Sequence, residues 1–98
     1  MLERLTLGVF AQHLNSQFQI AGAQPVELVE ANQLPAPAVY EAFSLIFRGP
    51  ASNPLPQATY RLHHDALGDF DLFMVPVRQD QHGRYYEAVF NRRRAEAE

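Results

Sequence analysis

The chain has 98 residues, just under half of them hydrophobic, with seven Phe and four Tyr, which suits one packed core and leaves no length for two. Eleven acidic against eight basic residues give a net charge of -3, a balance that supplies no global attraction to nucleic acid or to an anionic membrane. Cysteine is absent, which removes disulfides, thiolate metal sites and a cysteine nucleophile together.

Met1 to Leu5 carries Glu3 and Arg4 where an export signal needs an apolar run, and no stretch approaches the roughly 18 apolar residues of a membrane span. The expectation is therefore a soluble protein of the cytoplasm with no membrane partner. The first structural signal is Leu7, Phe10, Ala11 and Leu14, whose i, i+3, i+4, i+7 spacing places them on one helical face. Thr6 is positioned as N-cap, with Leu5 and Phe10 as a hydrophobic staple, and Asn15 and Ser16 end the segment.

From Gln17 onward the pattern changes to short β-prone runs separated by turn residues. Strands are predicted at 17–20, 26–31, 42–47, 58–63, 70–77 and 84–91. Phe43, Leu45 and Phe47 share one face of the third; Ala58, Tyr60 and Leu62 share one of the fourth; Tyr86, Ala88 and Phe90 share one of the sixth. In the fifth, Phe70 and Leu72 have one parity while Phe73, Val75 and Val77 have the other, which predicts burial on both faces or a bulge near Leu72-Phe73. Pro76 favours an edge or bulged position there. Gly49 to Pro56, with three prolines, is a constrained loop. The fold class is mainly β: a six-stranded antiparallel meander, curled into a small barrel or strongly bent sheet, with one short N-terminal helix packed on it. The domain runs over residues 1–91, and 92–98 form a charged tail.

Phe43-Ser44-Leu45-Ile46-Phe47-Arg48-Gly49-Pro50, Leu55-Pro56-Gln57-Ala58-Thr59-Tyr60-Arg61-Leu62, Leu72 to Val77 and Tyr86 to Asn91, together with Leu5-Thr6-Leu7 and Phe10 to Leu14, resemble a group of small uncharacterised bacterial proteins classed as a domain of unknown function. The resemblance spans most of the chain. Its motifs are a helix start, strand cores and a Pro-rich turn, so it implies a fold group and brings no catalytic residue with it. It also implies company with phage-tail-like or tail-fibre-like components. The chain departs from the family's pattern at Pro35 to Tyr40, where its linker is longer.

Several polar groups invite a chemical reading. His63-His64-Asp65 offers imidazole and carboxylate, the ligands of zinc or iron, with Asp80 or His82 as further donors. Neighbouring strand residues point to opposite faces, however, so His63 and His64 do not readily share an ion, and neither a metal nor another cofactor is expected. Ser44 and Ser52 lack the strained elbow of a serine hydrolase. Glu27 and Glu30 differ in strand parity, and Asp69 and Asp71 share a solvent face, so neither pair is poised for acid–base work. Arg92-Arg93-Arg94 beside Tyr85, Tyr86 and Phe90 is similar to an aromatic nucleic-acid platform, but Glu96 and Glu98 offset the arginines and nucleic acid is disfavoured.

The better interaction candidate is the loop Arg48 to Gln57. Pro50 and Pro56 restrict it before any partner arrives, and Leu55 is its apolar anchor. The leading expectation is a non-enzymatic structural or protein-interaction module, part of a larger assembly, that meets a protein partner through this loop or through a sheet edge. The alternative is a small ligand-binding or metal-dependent β-barrel whose mouth is framed by Tyr60, Tyr86 and His64.

Overall fold

The computed structural model describes residues 5–93, and it begins with the predicted cap. Thr6 is extended, and its Oγ1 accepts the Val9 N–H at 3.2 Å. The helix that follows, α1 (Leu7–Ala11), is shorter than predicted. Asn15 takes a left-handed conformation (φ 67°) and donates its N–H to the Leu28 carbonyl. That contact turns the chain into the sheet before Leu14 can reach the core. Leu5 and Phe10 are both buried, as the staple requires.

Six strands follow: β1 (Gln17–Ile20), β2 (Val26–Gln33), β3 (Tyr40–Gly49), β4 (Ala58–His64), β5 (Gly68–Asp80) and β6 (Gly83–Arg93). All pairings are antiparallel, and the order β1-β2-β3-β6-β5-β4 closes on itself through β1 and β4. The ring is confirmed, but its connectivity is not a simple meander. In a meander β3 would pair with β4; here β3 pairs with β6 over ten residue pairs. The Pro-rich loop after Gly49 carries the chain across one end of the ring to β4 instead.

Inward positions are those the alternation marked. Phe43, Leu45 and Phe47 on β3, Leu62 on β4, and Tyr86, Ala88 and Phe90 on β6 are all buried in one core. Phe10 plugs the opposite end of the ring, its ring centroid 5.7, 6.0, 6.2 and 6.5 Å from those of Phe90, Phe70, Phe43 and Phe18. Burying a ring of this size stabilises by about 1.5–3 kcal/mol, so one residue fixes a helix too short to persist alone.

Three local expectations are corrected. In β5 the inward set is Phe70, Leu72 and Met74, and Phe73 faces solvent; the register shift falls at Pro76/Arg78 rather than near Leu72. Pro76 itself lies beyond the last β4–β5 pair at Met74, where no ladder needs its missing donor. In β2 a shift between Leu28 and Glu30 restores Glu27 and Glu30 to one face, because Val29 is the extra residue. Arg92 and Arg93 belong to β6, not to a tail; Arg94 to Glu98 lie outside the described residues. No described helix is long and apolar enough to cross a membrane.

Candidate functional site

The histidines fall apart into two environments. His63 faces outward, its Nδ1 2.5 Å from Asp69 Oδ1 and its Nε2 3.4 Å from Asp65 Oδ1. The Asp69 hydrogen bond raises its pKa. His64 faces inward and is buried, 4.5 Å from the Phe18 ring centroid and 4.7 Å from that of His13. Burial, reinforced by His13, lowers its pKa, so it is neutral near pH 7.

The tautomer of His64 follows from its partners. Nδ1 accepts the Ala66 N–H at 3.0 Å, which leaves the ring proton on Nε2, 3.0 Å from Ser16 Oγ. Ser16 passes the chain on by donating to the His13 carbonyl at 2.5 Å. Every polar atom of His64 is thereby used, so this is a structural histidine with no lone pair for a metal. His82 sits in the β5–β6 turn, where its N–H donates to Asp80 Oδ1. Among the described residues, no group of three His, Asp or Glu gathers at metal-binding spacing.

The tyrosines close the other end of the ring. Tyr86 Oη accepts the Leu55 N–H at 2.8 Å, and Tyr60 Oη donates to the Pro56 carbonyl. Leu55, expected to offer an apolar anchor, packs against the core instead, while Pro50 and Pro56 are exposed. Arg48 is held by Glu27 at 2.6 Å. The loop is thus fastened to the ring by its backbone at Leu55 and Pro56, held by the two tyrosines, and by the Leu55 side chain. Between the tyrosines and His64 the interior is occupied by Phe18, Phe47, Leu62 and Met74, all fully buried.

The remaining candidates lie on the outer wall. Ser44 is buried and donates to Glu87 Oε2 at 2.7 Å; Glu30 lies 3.6 Å from Arg78, and Asp71 2.9 Å from Arg61. Tyr85 is covered by the Arg78 guanidinium at 4.2 Å, and Tyr86 and Phe90 point inward. Arg92 donates to the Leu5 carbonyl and to Glu41, above the Phe43 and Phe90 rings. Among the described residues, Tyr85, Tyr86 and Phe90 are therefore buried and do not form an exposed platform beside Arg92 and Arg93.

One feature was not anticipated. The β5–β6 ladder runs from Asp80/Gly83 only as far as Val75/Glu87. Beyond it, Gly68 to Met74 pair with β4 alone and Ala88 to Arg93 with β3 alone. The two strands part into a groove of ≈ 430 Å³, floored by Leu72, Ala88 and Phe90 and rimmed by Asp71, Phe73, Val89, Asn91 and Arg92. Phe73 and Val89 are 52% and 56% exposed on its lips. The signal in the sequence was their parity: two large apolar residues on faces that alternation makes wet.

The match to a known family covers residues 5–90, from the helix to the end of the sixth-strand core. The chain belongs to DUF6916, a domain of unknown function. No curated protein and no solved structure matches it. In this DUF6916 domain, Tyr86, Leu55 and Phe10, which lie inside the matched range, do structural work at the two ends of the ring.

Proposed function

We propose that this DUF6916 domain is a non-enzymatic interaction module, a component of a larger assembly, and that its partner-facing surface is the groove between β5 and β6. The observation that carries this reading is the pair of exposed apolar side chains, Phe73 and Val89, flanking a groove where the sheet stops pairing. Large apolar groups and unpaired strand edges exposed together are normally blunted by charge or covered, and where they persist they mark a contact surface. The packed interior supports the same reading, since a ligand barrel keeps its cavity inside. So does the loop Arg48 to Gln57, where Leu55 packs on the core and Arg48 pairs with Glu27, turning toward the ring the two side chains best suited to a partner.

The test is site-specific photocrosslinking in the native host. A photoreactive residue in place of Phe73 or Val89 should capture a discrete protein partner, while one in place of exposed Gln19 on β1, which neighbours neither β5 nor β6, should not. Native mass spectrometry of the purified protein supplies the opposing result: a stoichiometric metal or metabolite would replace this reading with the ligand-binding one.

A further inference from the structure

The backbone of the groove specifies what fits it. In an antiparallel ladder each residue directs both its N–H and its C=O to one neighbouring strand, and the next residue directs its pair to the other. On β3, Ala42 uses its carbonyl toward β2, accepting from Leu34. Even-numbered residues of β3 therefore face β2 and odd ones face β6. Through the pairs Phe43↔Phe90 and Leu45↔Ala88, even residues of β6 face β3, and Val89 and Asn91 turn their backbone groups into the groove.

The other wall gives the same result independently. Arg61 directs its carbonyl to β1, accepting from Ala21, so even residues of β4 face β5. The pairs Leu62↔Phe70 and Tyr60↔Leu72 then leave Asp69, Asp71 and Phe73 with backbone groups aimed at the groove. The hairpin closed by Asp80 and Gly83 and the last pair Val75↔Glu87 obey the same parity. Both walls thus offer a run of donors and acceptors that no ladder among the described residues uses.

We infer that this groove takes an extended peptide segment of a partner protein, added as a strand at the parted β5–β6 seam; the inference rests on the interaction reading above and names its occupant. A strand is the ligand whose hydrogen bonds match two sheet edges. About 13 Å of edge runs from Asp69 to Phe73 at strand rise, enough for four or five residues. The side chains fix the rest of its pattern. Inward positions meet Leu72, Ala88 and Phe90 and call for small or branched apolar groups. Outward positions alternate: apolar between Phe73 and Val89, then an uncharged polar group at the level of Asp71 and Asn91, because the Asp71 carboxylate already pairs with Arg61 at 2.9 Å and Arg92 lines the same groove.

The experiment pans a phage library of random peptides on the whole protein and assays the enriched peptides synthetically. Expected are period-two apolar sequences with a flanking uncharged polar residue, whose binding shifts the amide resonances of Asp71, Val89 and Asn91 and slows their exchange. Val89→Pro removes a donor that faces the groove and no donor of the β3 ladder; it should weaken Kd at least tenfold. Phe73→Lys, on an exposed position that cannot unfold the core, should weaken it comparably. Peptides that shift the side-chain resonances of Phe73 and Val89 without slowing the exchange of the Asp71, Val89 and Asn91 amides would overturn strand addition while leaving the interaction reading in place; shifts confined to the Arg48 to Gln57 loop would overturn both. An unenriched library, or a protein that fills the groove with a second copy of itself, would overturn strand addition as well. Failure of the interaction reading itself is also scored separately, by a bound metabolite or metal in the native mass spectrum.

Discussion

Replacing Tyr86 with Phe removes one oxygen and nothing else, and the structure fixes what that oxygen does. Tyr86 is 1% exposed, and its Oη accepts the Leu55 N–H at 2.8 Å, joining the crossover loop to the core of the ring. Without it a partly buried backbone donor loses its partner, which costs about 1–3 kcal/mol. For a domain of this size that lowers Tm by roughly 4–8 °C per kcal/mol. The control is Tyr60→Phe: Tyr60 donates to the carbonyl of exposed Pro56, a group that water can satisfy, so the loss should stay below about 1 kcal/mol. Both variants are compared with the parent by urea and thermal denaturation. Equal losses would refute the argument that the loop is anchored from inside the ring.

Two further outcomes follow from local geometry. Gly83 has φ 145°, and a Cβ there would lie 2.3 Å from the Gly49 carbonyl oxygen; backbone cannot yield as a side chain can, so Gly83→Ala should cost about 3 kcal/mol in urea unfolding. The second concerns pH. His64 has a lowered pKa in the fold, so above the ordinary histidine value it contributes no pH dependence. As pH falls below that value the unfolded chain binds a proton that the folded chain refuses, and stability declines until the folded pKa is reached. His63 has the opposite sign: its raised pKa favours the fold in acid and is lost as pH rises through the folded value, but the pair is half exposed and screened by solvent. In a His63→Gln background the urea midpoint should drop between pH 7.5 and 5.5, and His64→Gln should flatten that drop. An unchanged slope would assign it to other groups.

Strand positions were legible because period-two alternation in Tyr86-Ala88-Phe90 or Ala58-Tyr60-Leu62 needs only neighbouring residues to read. Partnership was not. That β3 joins β6, and β1 joins β4, depends on where the loop after Gly49 crosses, and the crossing is set by Leu55 and Tyr86, residues 31 apart in sequence. The bulges hid for a similar reason: Val29 and the residue after Pro76 are extra only relative to a partner strand. The opposite faces of His63 and His64 followed from strand geometry, whereas the Ser16 contact that fixes the His64 proton spans 48 residues. The groove left a trace in the outward parity of Phe73 and Val89, and that trace was readable only once the end of the β5–β6 ladder was known.

Beyond Val75 and Glu87, β5 and β6 part and leave backbone groups turned into a groove. Residue-resolved hydrogen exchange of the unliganded protein measures this directly. Along β6 the amides of Ala88 and Phe90 should be protected and those of Val89 and Asn91 should exchange fast; along β5, Leu72 should be slow and Asp71 and Phe73 fast. Uniform protection from residues 87 to 91 and 71 to 75 would mean the seam is zipped shut in solution, contradicting both the site and the function built on it.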